Sequence, residues 1–345
     1  MAEQKNNLIS SISISGEIVL NLHSLNNEGG EGNQIMTRQV TIVDNNKEKH
    51  TVTAISGDMF KHIHAMHMVN YCTDNKLPLS EYSKTCNPNR ISASEIEKEA
   101  GKANNTQSDV VEAIIKKCTI CDTHGVLNTD KVGNNNSSSN TPRQTVIDFG
   151  WIVGIPGNNG TETYIHTKLV PDAGAKGSAT GSNEGQNIFH RPANYGTYAF
   201  VCNIEVYRIG FNDISRTYPI GAEERLNRYK AMLHGLVSTI INPRGAMIGS
   251  QYPHITDFRG IITYSHNLIP APTVSAINPD YSKQMESIVV DLNKMQQSSK
   301  KVDGNAETDG EELKVSIEKK TFDSISAFVK IVADDLMSAL PYEIS

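Results

Sequence analysis

In the stretch TYAFVCNIEVYRIG, Tyr198, Phe200, Cys202, Ile204 and Val206 stand at every second position, with Ala199, Val201, Asn203 and Glu205 between them. A repeat of two puts these side chains on one face of a strand, and no helix can bury such a pattern on one side. The stretch is therefore a candidate for the centre of a sheet. Leu8 to His23 has the same period, with Ile12, Ile14, Ile18, Leu20 and Leu22 in step. After the polar loop NLHSLNNEGGEGNQIMTRQV, the alternation resumes in QIMTRQVTIVD, with Ile35 out of step and Val40 and Ile42 in step. These features predict an antiparallel hairpin between the first strand and this return strand, bulged where the return begins.

Elsewhere the period changes to three and four. In AISGDMFKHIHAMHMVNY, Met59, Ile63, Met66 and Asn70 recur at helical spacing, Ser56 or Asp58 is placed to cap the helix, and Met59, Ile63 and Met66 are expected in the core. AEERLNRYKAMLHGLVSTII opens with Glu223 and Glu224, which suit the positive end of a helix. It carries Leu226, Leu233, Leu236, Val237 and Ile240 on one stripe and stops at Asn242-Pro243. SISAFVKIVADDLMSAL predicts a C-terminal helix, VIDFGWIVGIP and TETYIHTKLV are strand-like, and PDAGAKGSATGSNEGQN is an irregular excursion. Between Thr73 and Arg143, polar connections such as GNNNSSSNTPR surround the helical SDVVEAIIKKC, so this part reads as an insertion with mobile connections. The order predicts an α+β domain: a mainly antiparallel sheet with helices on one face and the other face free to bind.

Composition narrows the function classes. The apolar runs fall short of the roughly 18 residues that span a bilayer, and Met1 to Leu8 carries no basic-then-apolar leader, so a soluble cytoplasmic chain away from membranes is expected. Five cysteines, an odd number at irregular spacing, argue against a secreted disulfide framework. The net charge of -6 disfavours a nucleic-acid partner until it is localised. Asp303, Glu307, Asp309, Glu311 and Glu312 crowd one stretch without a basic residue, and setting them aside leaves a charge of -1 for the rest.

Catalytic signatures are missing: the chain has no G-x-S-x-G, no phosphate-loop lysine motif and no G-x-G-x-x-G between strand and helix. Cys118 and Cys121 have zinc-knuckle spacing, with Cys72 and Cys86 upstream and His124 as a substitute ligand. The alternative for all of them is buried or idle thiols. His62, His64 and His67 lack the glutamate of a zincin helix. A protein without catalytic activity or cofactor is therefore expected. A metal-dependent nuclease or hydrolase using Cys118, Cys121 and nearby histidines is the alternative. What remains is a set of backbone-exposing turns beside basic residues. Gly29, Gly30 and Gly32 precede Thr37 and Arg38; Ser56, Gly57, Lys61 and His62 open a helix; Arg244 and Gly245 follow one; His190, Arg191 and Tyr195 end the excursion. Together they describe a track for a phosphate backbone, read by shape and charge.

SGEIVLNLHSLNNEGGEGNQIMTRQVTIVD, then VTAISGDMFKHI and later NPRGAMIGSQYPH, resemble the DevR-type CRISPR-associated autoregulator family, the guide-RNA-binding backbone subunits (Cas family seven) of Cascade-type complexes of the I-B subtype. The resemblance implies an RRM-like (ferredoxin-like) palm formed by residues 1–72 and 144–345, a thumb at 161–195 and an outer helical insertion at 73–143. It also implies copies polymerising along one guide RNA (crRNA), beside other Cascade subunits. Each copy would support recognition of a target DNA strand through the guide duplex, in antiviral defence or RNA-guided transposition. Carried over by position, Asn33, Gln34, Thr37, Arg38, Ser56, Lys61, His62 and Arg244 become palm contacts to RNA. Gly57 and Gly245 accompany them in the same turns, and Arg191 falls in the thumb. Two departures stand out: the sheet lacks the paired aromatics with which ordinary RRMs stack bases, and the overall charge is negative.

Overall fold

The computed structural model of the chain describes residues 7–101, 105–133, 140–169, 186–245, 248–302 and 315–344. In chain order the strands are β1 (Leu8–Ile9), β2 (Ser11–His23), β3 (Asn27–Glu31), β4 (Gln34–Thr37), β5 (Gln39–Val43), β6 (Lys49–Ile55), β7 (Val126–Asn128), β8 (Thr141–Arg143), β9 (Ile147–Phe149), β10 (Ile152–Leu169), β11 (Gln186–Ile204), β12 (His254–Ser265), β13 (Ile317–Phe322) and β14 (Leu340–Pro341). The helices are α1 (Gly57–Asp74), α2 (Glu81–Lys84), α3 (Ala93–Ala100), α4 (Gln107–Lys117), α5 (Thr119–His124), α6 (Ala222–Ile241), α7 (Tyr281–Val302) and α8 (Ile325–Ile331). None of the described helices is long and apolar enough to cross a membrane.

The main sheet runs β13-β12-β2-β11-β10-β6-β5, antiparallel at every step. Its register explains the alternation. Ile18 of β2 lies between Tyr198 of β11 and Phe258 of β12, and Ile14 lies between Cys202 and Ile262, so the even positions of three strands form one apolar face. Phe60, Ile63 and Met68 of α1 and Leu233, Leu236 and Ile240 of α6 close over that face in a single core. Within it, the rings of Phe200 and Phe258 meet edge to face at 5.5 Å. α1 buries Phe60, Ile63, His64, Met68 and Cys72, while Met66 is only half-buried and Asn70 is exposed. The buried stripe is thus rotated from the expected one, because α1 is wedged between the sheet and α6.

Two expectations are corrected. β2 does not form a hairpin with the return strand: its neighbours are β11 and β12, and β5 pairs with β6 at the far edge of the sheet. The reason is burial. β2 is covered on both sides, its serines included, and so takes long partners on both edges, whereas the half-exposed QVTIV of β5 suits an edge. The second face of the sheet is not free either. Ala276, Tyr281 and Met285 pack onto Val52, Ala54, Val153, Ala199 and Ile261, and Thr273 bonds Ser13 at 2.6 Å and Asn203 at 2.6 Å.

The helical segment after α1 is tied to the core by buried polar groups. Asp122 of α5, fully buried, accepts from Arg143 Nη2 at 2.7 Å, Arg228 Nη1 at 2.8 Å and the Gly210 N–H at 3.0 Å. Nearby, His64 Nε2 faces the Met232 carbonyl at 3.0 Å and His64 Nδ1 faces His124 Nε2 at 2.9 Å. A carbonyl only accepts, so the His64 proton sits on Nε2 and His124 donates to Nδ1. Both rings are neutral, since burial pushes the pKa of His64 down to about 4 and that of His124 well below its ordinary value. The central part of the excursion and the acidic stretch with Asp303, Glu307, Asp309, Glu311 and Glu312 lie outside the described residues.

Candidate nucleic-acid interface

The polar loop that follows β2 folds back on itself as β3 and β4 and then docks on the β10–β11 ribbon. The His190 N–H donates to the Asn33 carbonyl at 3.0 Å, and Gln34 pairs with His190. Among the three loop glycines only Gly32 has a positive φ, +63°; Gly29 and Gly30 lie within β3. Asn33 and Gln34 are exposed, while Thr37 and Arg38 are half-buried. Arg38 anchors the loop twice through its backbone: its N–H donates to the Asn26 carbonyl at 3.0 Å and its carbonyl accepts from the Ala54 N–H at 3.2 Å. The Arg38 side chain bonds Glu28 through Nε and lies over the exposed ring of Trp151, 5.2 Å from its centre.

Beneath the loop runs a directed chain of hydrogen bonds. The Leu25 N–H donates to His23 Nδ1 at 3.3 Å, so Nε2 carries the proton and donates to the Tyr198 hydroxyl at 2.9 Å. The Tyr198 hydroxyl lies 3.2 Å from Thr53 Oγ1, which in turn donates to Asn159 Oδ1 at 3.2 Å. Burial pushes the pKa of His23 down to about 3 and keeps it neutral. Asn194 Nδ2 donates to Asn26 Oδ1 at 2.6 Å, and Thr161 donates to Asn194 Oδ1 at 2.6 Å. These residues join β2, β6, β10 and β11 at the root of the loop, and they fix where it starts.

The other predicted segments border this root. Ser56 caps α1, accepting from the Met59 N–H at 3.2 Å. Gly57 lies so close to the Phe149 carbonyl that a Cβ there would overlap it, and this contact sets the helix start beside Trp151. The turn after α6 rests on α1: a Cβ on Gly245 would lie 2.8 Å from Met59 Sδ, and His67 donates from Nε2 to the Asn242 carbonyl at 2.8 Å. Further along, Gln251 donates to the Pro192 carbonyl at 3.1 Å, which links this turn to β11 next to Arg191. Arg244 is exposed on the turn, and His62 is exposed on the first turns of α1. Lys61 lies deeper. Burial, and then the charge of Arg90, lower its pKa, against the opposing pull of Asp148 and Asp58.

The structure thus brings the loop, the start of α1, the base of the β10–β11 ribbon and the 242–252 turn into one continuous border. Lys61 sits at its side, facing Arg90 of the helical segment. Reading the sequence alone missed Trp151, Glu28, Asn26, Asn194 and Gln251. The available signal was the only tryptophan of the chain, set directly after Gly150 at the mouth of a strand. Of the eight buried side-chain polar atoms without a partner among the described residues, five belong to Asn26, Asn27, Thr37 and Arg191, at the root of the loop.

The thiols do not assemble a metal centre. Cys118 and Cys121 share Ser83, at 3.2 and 3.7 Å from its hydroxyl, and Cys72 and Cys86 do not join them in ligand geometry. Among the described residues, only Asp44, Glu48 and His50 bring three donor atoms within 4.8 Å. There Asp44 Oδ1 already accepts two backbone N–H groups of its turn, each at 2.9 Å.

A long antiparallel sheet carrying a border of backbone-exposing turns is the framework on which comparison with known proteins bears. The chain belongs to the family of CRISPR-associated negative auto-regulators DevR/Csa2, whose profile matches residues 14–286. A relative from Methanocaldococcus jannaschii, the CRISPR-associated protein Cas7/Cst2/DevR, is 28% identical over 305 residues, covering 82% of this chain and 89% of the relative. Among solved structures, a chain of a CRISPR RNA-guided surveillance complex in a pre-nicking state aligns with a TM-score of 0.47 at 12% identity, over 94% of this chain and 99% of that one. Csc2 from Thermofilum pendens aligns with a TM-score of 0.38 at 10% identity, over 83% and 76%.

Proposed function

We propose that the chain is a guide-RNA-binding backbone subunit of a Cascade-type complex and that it holds RNA by its phosphate backbone, without catalysis, along the border described above. The observation that carries this reading is the concentration of unpartnered polar atoms at Asn26, Asn27, Thr37 and Arg191. Folded proteins leave few buried polar atoms unpaired, and a cluster of them beneath exposed Asn33, Gln34 and Arg244 suits a loop that completes its bonding on a polar ligand. Membership of the DevR/Csa2 family supports it. On this reading β2, β10, β11 and β12, in spatial order fourth-first-third-second with α1 and α6 on one face, form an RRM-like palm. Residues 161–195 are then the thumb and 73–143 an outer insertion. The partners are crRNA, the target strand paired to it, further copies of the chain and other Cascade subunits.

The test uses the double variant Arg38→Ala, Lys61→Ala and two unrelated single-stranded RNAs. Both RNAs should lose affinity alike, and the slope of log affinity against log salt should fall by about two. Unchanged retention of RNA at moderate salt would refute the assignment of these residues.

A further inference from the structure

We infer that Trp151 and Arg38 form a nucleotide subsite in which the indole stacks on a base of single-stranded RNA while the terminal amines of Arg38 hold the adjoining phosphate; this rests on the RNA-binding reading above. Trp151 is 47% exposed, although both neighbours in the fold are firmly buried: Ile152 enters the core after it, and the Phe149 carbonyl before it is packed against Gly57. The exposed ring is therefore held by its backbone and not by its own burial, which is the condition for a preset platform. Other exposed aromatics in this part of the molecule are already committed. Tyr164 donates to Glu162 at 2.5 Å, Tyr252 donates to Asn242 at 2.7 Å, and Tyr195 covers Gly160.

Arg38 supplies the second half. Its guanidinium lies over the indole, and Glu28 takes only the Nε proton, so the two terminal amines face no carboxylate. Glu28 thereby fixes the plane of the guanidinium while leaving the forked donors that match a phosphate. Trp151 also stands beside the capped start of α1, where free backbone N–H groups favour an anion. A flat ring, a forked cation and a helix start within one short span match the repeat of a nucleotide: base, then phosphate. Stacking accepts every base, which suits a subunit that must carry any guide.

The experiment exploits Trp151 as the only tryptophan of the chain. Unstructured oligouridylate is titrated into the intact protein while fluorescence anisotropy of the labelled RNA reports binding. Trp151 emission and its quenching by acrylamide report the ring. Saturable change in emission and protection from acrylamide, with the same midpoint as the anisotropy, are expected. Trp151→Ala should weaken binding about 5- to 150-fold, the range of one base–aromatic stack, and leave the salt slope unchanged, whereas Trp151→Phe should lose less. Binding by anisotropy with an unprotected Trp151, or wild-type affinity in Trp151→Ala, would overturn the subsite and leave the wider reading standing. If oligouridylate does not bind the wild-type chain at all, both fall.

Discussion

Replacing Asp122 should be the most damaging single change in the fold. Its two oxygens hold Arg143 at 2.7 Å and Arg228 at 2.8 Å, and all three side chains are fully buried. In Asp122→Ala each guanidinium keeps one acidic partner: Asp213, 39% exposed, for Arg143 and Glu224, 33% exposed, for Arg228. Both partners reach into solvent and are screened, so neither replaces a dry carboxylate. Breaking one buried pair by removing a partner costs about 3–5 kcal/mol, and here one carboxylate serves two cations, which places the variant near the top of that range. Against a typical domain stability of about 5–15 kcal/mol this is a large share. Asp122→Asn keeps the shape and one acceptor, and it should lose less. Urea unfolding followed by circular dichroism measures the loss. Limited proteolysis should show its first new cuts in the helical segment, because α5 is what Asp122 ties to α6 and to Gly210. A loss below about 1 kcal/mol would show that water reaches these arginines and that the clasp has been misread.

Other perturbations follow from the same geometry. His23 and His64, held down to about 3 and about 4, and His124, held well below its ordinary value, are neutral in the fold, so their contribution is complete above the unfolded pKa near 6.5. As pH falls from there toward 4 the unfolded chain takes up protons that the fold refuses, and stability should drop by about 1.4 kcal/mol per pH unit for each histidine. A urea midpoint that stays flat from pH 7 to 5 would contradict this. Gly57→Ala drives a Cβ into the Phe149 carbonyl, a backbone atom, and should cost about 1–3 kcal/mol, while Gly245→Ala meets only Met59 Sδ and Ile63, side-chain ends that can move, and should cost under about 1 kcal/mol. Equal urea midpoints for the two variants would refute that distinction.

Much of the scaffold was legible because burial imposes a period. The even positions of Ile12 to Leu20 and of Tyr198 to Ile204, and the stripe of Leu233, Leu236 and Ile240, announced β2, β11 and α6. What alternation cannot say is which strand lies alongside. It records faces, and neighbours are chosen by length and by two-sided burial, which is why β2 was first matched with a strand at the far edge. The cover over the second face, led by Tyr281 and Met285, was missed because a stretch half in solvent carries a weak apolar stripe. For the interface, the glycine loop, Ser56 and Arg244 were visible as turn and cap chemistry. Trp151 and Glu28 were not, since their meaning comes from Arg38, and that contact exists only once the chain is folded. The buried ions were invisible for a related reason: Asp122, Arg143 and Arg228 are far apart in sequence, and each alone reads as an ordinary surface charge.

The cover laid over the second sheet face by Tyr281 and Met285 reaches further than the packing it provides. A bare sheet is a table on which bases can be spread and compared, and a protein that keeps one can become choosy about sequence. With helices beneath and this lid above, no table is left. An RNA strand on this molecule would meet turns, a helix start and one tryptophan: a rail that grips any text without reading it.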